Sequence, residues 1–97
     1  MVRLNWTRQA AEDIESICEF ISKDSFQYAR MFAQDVINAI QRLEIFPLSG
    51  RIVPELSDNN IREIILGNYR IIYRNKPDTV EILTIYHSAR LLNLEIK

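Results

Sequence analysis

A strand pattern and then a helical pattern open the chain. Val2, Leu4 and Trp6 alternate with polar residues, and this period of two predicts a strand over residues 2–6. Thr7 is placed to cap the helix that follows. The apolar positions of that helix fall on one stripe of a 3.6-residue repeat: Ala10, Ala11, Ile14, Ile17, Cys18 and Ile21.

A second amphipathic helix follows almost directly. Asp24 and Ser25 interrupt the first stripe and can cap a new helix, whose own stripe runs from Ala29 to Leu43. Residues 46–50 contain a proline and a glycine and end this helix, and residues 51–60 are predicted to form a loop. The first half therefore predicts one strand followed by a helical hairpin.

The second half of the chain has a strand pattern. Residues 61–66, 69–74 and 79–86 are rich in β-branched and aromatic residues and predict three antiparallel strands. The two-residue link Gly67-Asn68 indicates a tight hairpin, which places Leu66 opposite Tyr69. We expect an α+β fold in which the helical hairpin packs on one face of this meander and leaves the opposite face to a partner.

The end of the chain is apolar. Residues 88–97 include Leu91, Leu92, Leu94 and Ile96, which indicate a short C-terminal helix or a tail. An apolar patch of this kind docks on the protein's own core or on a partner.

Composition limits the class of protein. The 97 residues are 47% hydrophobic and 26% charged, which is typical of one globular domain spanning residues 1–97. The single cysteine, Cys18, indicates a reducing compartment and no metal site. No apolar run could span a membrane, so we expect a cytoplasmic protein. The net charge of −1 provides no overall positive field for nucleic acid.

Arginine is the preferred cation, with nine Arg against three Lys, and it favours bidentate contacts with carboxylates or phosphates. The predicted register puts Arg62 and Arg70 on opposite faces of the sheet, so a joint clamp on one phosphate is not expected. The alternative is that each arginine pairs with a neighbouring carboxylate such as Glu63 or Glu81.

The only histidine, His87, follows the last predicted strand. Its imidazole could act as a general acid or base, with Arg90 stabilising charge and Glu55 as a partner base. The alternatives are a histidine that fixes the strand end and a solvated loop glutamate. Neither a nucleotide-binding glycine loop nor a Ser/His/Asp signature is present, and no cofactor is expected.

Several short motifs occur along the chain in a fixed order. They are Leu4-Asn5-Trp6-Thr7 with Ala10 and Asp13-Ile14, then Phe46-Pro47-x-x-Gly50-Arg51, Arg62-Glu63-Ile64, Tyr69-Arg70-Ile71-Ile72-Tyr73-Arg74 and His87-x-x-Arg90. Each motif is weak alone, but the ordered set resembles the RelE/ParE superfamily of bacterial toxins. The resemblance implies one strand, a helical hairpin and a three-stranded meander, in agreement with the periodicity.

The superfamily has two functional branches. In the RelE-like branch, which cleaves mRNA on the ribosome, Arg70 matches the phosphate-binding arginine, and a nuclease site would comprise Arg62, Arg70, His87, Arg90 and Glu55. Ile64 and Ile96 depart from that branch, since they replace a basic residue and a tyrosine. The ParE-like branch, which inhibits DNA gyrase, is more similar at residues 50–55 and 87–90.

We therefore expect a ParE-like gyrase inhibitor of a plasmid-stabilisation system rather than an enzyme. The residues expected to bind the target are Arg51, Arg62, Arg70, Tyr86, His87 and Arg90. The alternatives are an mRNA endoribonuclease acting on ribosome and mRNA, and a non-toxic binding module.

The resemblance also implies a cognate antitoxin. Its C-terminal segment would lie in the groove over residues 8–45, against Ile14, Ile21, Phe32 and Val36, and often adds a strand to the sheet edge. A toxin-antitoxin heterotetramer is one expected assembly. No metal, membrane or small-molecule cofactor is expected.

Overall fold

In the computed structural model, which describes residues 1–89, one strand precedes two helices and four strands follow them. The elements are β1 (Arg3–Trp6), α1 (Arg8–Ser22), α2 (Phe26–Gln41), a 3-10 turn (Arg42–Glu44), β2 (Arg51–Ile52), β3 (Ile61–Leu66), β4 (Tyr69–Asn75) and β5 (Thr79–His87). The α+β class predicted from periodicity is confirmed. Most of the apolar C-terminal segment, including Arg90, lies outside the described residues.

Both helices start at the predicted caps. The Thr7 side chain accepts a hydrogen bond from the backbone N–H of Ala10, and the Ser25 side chain accepts one from Tyr28. Each bond satisfies one of the free N–H groups of a first helical turn. The Thr7 hydroxyl also donates to the carbonyl of Leu83 at 2.9 Å, so this cap fixes α1 to β5.

The five strands form one mixed sheet in the order β1-β5-β4-β3-β2. The antiparallel meander has the predicted register, with Leu66 opposite Tyr69 and Arg62 opposite Tyr73. Gly67 has φ +58°, which allows the two-residue turn between β3 and β4. β1 pairs in parallel with β5 from Thr79 to Ile82, which places the N-terminal strand at one edge of the described sheet.

The loop predicted over residues 51–60 contains a short strand, so that prediction is wrong at its start. Arg51 pairs with Glu63 and Ile52 with Arg62, which makes β2 the edge of the sheet next to β3. Two residues are too few to show a period of two. The sequence pattern therefore carried no signal for this strand.

The helical hairpin covers one face of the sheet, as predicted. The main core lies between the helices and the sheet. It contains Ala10, Val36, Ala39, Ile40, Leu43, Ile71, Tyr73, Val80, Ile82 and Ile85. The opposite face was expected to be open, but residues 53–60 fold back over part of it. Val53 packs there against Ile61 and Ile72 in a second, smaller cluster. Within residues 1–89, no helix is long and apolar enough to cross a membrane.

A buried tyrosine fixes the junction between the helices and β2. The hydroxyl of Tyr73 donates to the carbonyl of Pro47 at 2.8 Å and accepts from the N–H of Gly50 at 2.9 Å. A Cβ atom on Gly50 would lie 2.7 Å from the Tyr73 hydroxyl oxygen and 2.7 Å from the carbonyl oxygen of Glu63. Only glycine fits between these two fixed atoms.

Replacing this glycine should destabilise the protein. We expect Gly50→Ala to lower the free energy of unfolding by about 1–3 kcal/mol, because the new methyl group overpacks a buried contact. Urea unfolding measures the change. The control is Ser49→Ala at the neighbouring exposed position, with an expected change within about 0.5 kcal/mol. Equal effects of the two substitutions would contradict this account.

Candidate functional site

A chain of ion pairs lies on the sheet face opposite the helices. Arg70 on β4 and Glu63 on β3 are diagonal neighbours on that face, since Glu63 is opposite Ile72 and Arg70 is opposite Ile65. The Nε of Arg70 lies 2.5 Å from Oε1 of Glu63. Glu63 is 1% exposed and Arg70 is 7% exposed, so this pair is internal to the protein.

Glu55 binds the remaining side of the same guanidinium group. Nη1 and Nη2 of Arg70 donate to the two carboxylate oxygens of Glu55 at 2.8 and 2.9 Å. Bidentate pairing of this kind is the strongest contact between arginine and a carboxylate. Because Glu55 lies between β2 and β3, the contact holds residues 53–60 against the sheet.

Arg51 completes the network from the edge strand. Its Nε lies 2.5 Å from Oε2 of Glu63, so the two oxygens of Glu63 each accept from a different arginine. The Arg51 side chain is 60% exposed, whereas that of Glu63 is fully buried. Two arginines and two glutamates make the network electrically neutral, which reduces the cost of burying Glu63 and Arg70.

The ion pairs shift the pKa values of two network members. The hydrogen bond from Arg70 is the main cause that lowers the pKa of Glu55 from 4.5 to about 2, helped by a backbone hydrogen bond. The hydrogen bond to Glu55 raises the pKa of Arg70, and that to Glu63 adds to it, although burial opposes the shift. Both groups are therefore charged at neutral pH.

Tyr86 lies beside this network. The guanidinium carbon of Arg70 is 5.4 Å from the centre of the Tyr86 ring, within range of a cation–π contact. The Tyr86 hydroxyl is buried and has no hydrogen-bond partner among the described residues. Burial raises its pKa, with Arg70 opposing the shift, so the hydroxyl is neutral.

Arg62 has a structural role on the other side of β3. Its side chain donates to the backbone carbonyls of Asn59 at 3.0 Å, Gly50 at 2.9 Å and Leu48 at 3.2 Å. These bonds join the segments before and after β2. Arg62 and Arg70 lie on opposite faces, which confirms that they do not form one clamp.

His87 belongs to a different region, a cleft between α1 and the end of β5. Its Nδ1 accepts the backbone N–H of Ala89 at 3.1 Å. The ring meets Tyr69 edge-on at 5.3 Å. The cleft has a volume of about 370 Å³ and is lined by Asp13, Ser16, Ile17, Phe20, Tyr69, Ile85, Tyr86 and His87.

Asp13 connects α1 to β5 at the floor of this cleft. Its Oδ2 accepts the backbone N–H of Ile85 at 3.0 Å and also the hydroxyl of Thr84. The β4–β5 register shifts between Ile72 and Tyr73, where β5 contains an irregularity. Among residues 1–89, β1 accompanies β5 only as far as Ile82, and Asp13 binds the β5 backbone beyond that point.

The structure corrects two interpretations of charged residues. Glu55 was considered as a base beside His87, but both its carboxylate oxygens bind Arg70. Arg70 was expected to face a partner, but its guanidinium group is buried in ion pairs. The alternative, in which Arg62 and Arg70 each pair with a neighbouring carboxylate, holds for Arg70, which binds Glu63. It does not hold for Arg62, which binds backbone carbonyls.

One expected antitoxin contact is also corrected. Val36 has no exposed surface and packs in the main core, so it cannot contact a partner. Ile14, Ile21 and Phe32 are half-buried, and Phe32 packs on Tyr69 with ring centres 4.9 Å apart.

The sequence pattern did not reveal Phe20, which lies off the helical stripe and is 65% exposed. It also overlooked the central role of Glu63, for which the only available signal was a carboxylate inside an apolar strand.

Comparison with known proteins shows which family this chain belongs to. The family described as "ParE toxin of type II toxin-antitoxin system, parDE" matches residues 4–92. The Sinorhizobium fredii protein "Putative toxin Y4kP" is 33% identical over 88 residues, which cover 89% of this chain and 88% of that protein.

Two solved structures have a similar fold. A chain of the chromosomal ParDE TA system from P. aeruginosa superposes with a TM-score of 0.73 at 24% identity, covering 90% of this chain and 96% of that one. A chain of the toxin-antitoxin complex RelBE2 from Mycobacterium tuberculosis superposes with a TM-score of 0.63 at 25% identity, covering 93% and 97%.

The Glu55–Arg70 pair should make stability depend on pH. Because the pKa of Glu55 is lower in the folded protein, the pair stabilises the fold above pH 4.5 and loses its effect as the pH falls towards 2. We expect Glu55→Gln to lower the free energy of unfolding at pH 7 by only about 1 kcal/mol, since solvent screens a side chain that is 44% exposed.

Urea unfolding of both proteins between pH 7 and pH 3 measures this difference, which should shrink with decreasing pH. Glu12→Gln serves as the control, because Glu12 is exposed and forms no ion pair with any described residue. A gap between the wild type and Glu55→Gln that stays constant with pH would contradict the assignment.

Proposed function

The chain belongs to the ParE toxin family of type II toxin-antitoxin systems, and we propose that it inhibits DNA gyrase in the cytoplasm and is neutralised by a cognate antitoxin. The observation that carries the choice of target is the state of Arg70. This residue matches the phosphate-binding arginine of the ribosome-dependent nucleases, but here Glu63 and Glu55 bind its guanidinium group.

A phosphate would have to displace a carboxylate from Arg70. Glu55 holds two of the guanidinium nitrogens, and its lowered pKa of about 2 keeps it negatively charged. The third nitrogen donates to the fully buried Glu63. In addition, Ile64 stands where the nuclease branch has a basic residue, and the net charge of −1 gives little attraction to ribosomal RNA. These features support a protein target over an mRNA substrate.

The remaining candidates for gyrase contact lie nearer the surface. The side chain of Arg51 is 60% exposed at the sheet edge, and His87 is partly exposed and lines the cleft. Arg62 binds the loops around β2, and Tyr86 lies against the ion pairs. Arg90 remains a candidate for target binding on the basis of the family resemblance. We assign the direct contacts to Arg51 and His87.

An antitoxin partner is supported by the related toxin-antitoxin structures and by the helical hairpin itself. Four large apolar side chains within the two helices are more than half exposed, namely Phe20, Phe26, Tyr28 and Met31. Exposed apolar surface of this kind is typical of protein interaction sites. Ile14, Ile21 and Phe32 form the half-buried base on which a bound segment would rest.

Purified toxin should inhibit the supercoiling activity of DNA gyrase and leave mRNA intact during in vitro translation. We expect His87→Ala to raise the half-inhibitory concentration about tenfold, since it removes one interface contact. Arg51→Ala should have a similar effect on inhibition, but it also removes one of the two partners of Glu63 and should lower stability. Arg3→Ala is the matched control, because Arg3 is 80% exposed and, among residues 1–89, forms an ion pair with Asp78 alone, at the opposite end of β5.

Two results would contradict the proposal. Unchanged supercoiling at saturating toxin would remove gyrase as the target, and ribosome-dependent mRNA cleavage would establish the nuclease alternative. Thermal unfolding of each variant must accompany the assays. An Arg70→Ala variant alone cannot decide between the alternatives, because it leaves Glu63 buried without its main partner and should cost about 3–5 kcal/mol of stability.

A further inference from the structure

The cleft between α1 and β5 adjoins the ion-pair network at Tyr86, which lines the cleft and lies against Arg70. α1 contributes Asp13, Ser16, Ile17 and Phe20 to its wall. The aromatic ring of Phe20 is mostly exposed, and Tyr69 lies across the cleft from α1. An exposed phenylalanine beside an open apolar space is a typical anchoring point for a partner side chain.

Within residues 1–89, the end of the strand that forms the floor of the cleft pairs with β4 on one side and has no strand on the other. β1 pairs with β5 only from Thr79 to Ile82, and Asp13 binds the N–H of Ile85 beyond that point. In the described part of the chain, residues 83–87 of β5 therefore have a neighbour strand on one side only. Residues 1–89 leave the cleft open along this edge, which gives a polypeptide segment access to it.

The rim of the cleft is acidic. α1 carries four carboxylates and one guanidinium group. Glu12 and Glu19 lie four residues before and three residues after Ser16, so they share the side of the helix that borders the cleft. Both are exposed, and neither forms an ion pair with a residue in the range 1–89.

From this combination we infer that the cleft binds a cationic amphipathic segment of the antitoxin. An apolar side chain of that segment packs against Ile17, Phe20 and Tyr69, and Lys or Arg side chains approach Glu12 and Glu19. This inference rests on the proposed antitoxin partner and adds the place and the charge of its docking segment.

Other occupants fit the acidic rim less well. A nucleic acid is a polyanion and would be repelled by Glu12 and Glu19. A second copy of this chain, related by a two-fold axis, would bring the same carboxylates together, and like charges across an interface oppose association. A cationic segment gains from the same charges.

The experiment measures the affinity of the purified toxin for the protein encoded beside its gene, by calorimetry at low and high salt. We expect Phe20→Ala, Glu12→Lys and Glu19→Lys each to weaken binding about tenfold. The effect of the two charge reversals should decrease at high salt, whereas that of Phe20→Ala should persist. All three positions are exposed, so the variants should fold, and circular dichroism checks this.

Asp78→Lys is the control with the same change of charge. Asp78 precedes β5, and the cleft lies at the other end of this nine-residue strand, about 30 Å away. Binding that is insensitive to all three variants, or equally weakened by Asp78→Lys, would overturn the inference but leave the antitoxin partner in place.

Two further outcomes separate the alternatives. If the wild-type toxin does not bind the neighbouring gene product, the proposed antitoxin partner and this inference both fall. If the variants impair inhibition of gyrase but leave antitoxin binding unchanged, the cleft binds the target, and this inference is wrong.

Discussion

The negative charge of a buried carboxylate must be neutralised by groups inside the protein, and two arginines neutralise the charge of Glu63. One oxygen accepts from Arg70 on β4 and the other from Arg51 on β2, so a single side chain joins three neighbouring strands. Removing one partner of a buried pair leaves an unpaired charge, which is much more costly than losing a surface pair. The sheet edge and the loop that follows it therefore depend on this carboxylate. Glu55 extends the same network to residues 53–60, which cover part of the face opposite the helices.

This constraint gives both Arg62 and Arg70 a structural role. Arg70 is bound by carboxylates and Arg62 by backbone carbonyls, and in each case the guanidinium group holds the protein together. An arginine that positions a phosphate for cleavage needs free donors in a preorganised site. The exposed groups lie elsewhere, at Arg51 on the sheet edge and around the cleft beside α1. Arg51 and the residues of the cleft are accessible to another protein, whereas Arg70 is not accessible to a phosphate. This distribution favours a toxin that binds a protein target over one that cleaves RNA.

Periodicity in the sequence was sufficient for the larger elements. The two helical stripes, their caps at Thr7 and Ser25, and the register set by Gly67-Asn68 follow from local patterns and appear in the structure. The strand β2 could not be found this way, because two residues carry no period. The pairing of Arg70 with Glu55 also could not be found, since it depends on how residues 53–60 fold back. Val36 shows a related limit, because a helical stripe does not reveal which of its members are fully buried.

The most direct test of the account is the state of the Arg70 side chain in solution. Nuclear magnetic resonance can follow hydrogen exchange at the Nε–H of each arginine, before and after addition of a short RNA oligonucleotide. The account predicts that the Arg70 Nε–H exchanges slowly, because it is buried against Glu63, and that its resonance does not move with RNA. Rapid exchange, or a specific shift of this resonance on RNA addition, would show that Arg70 is available to phosphate and would contradict the account.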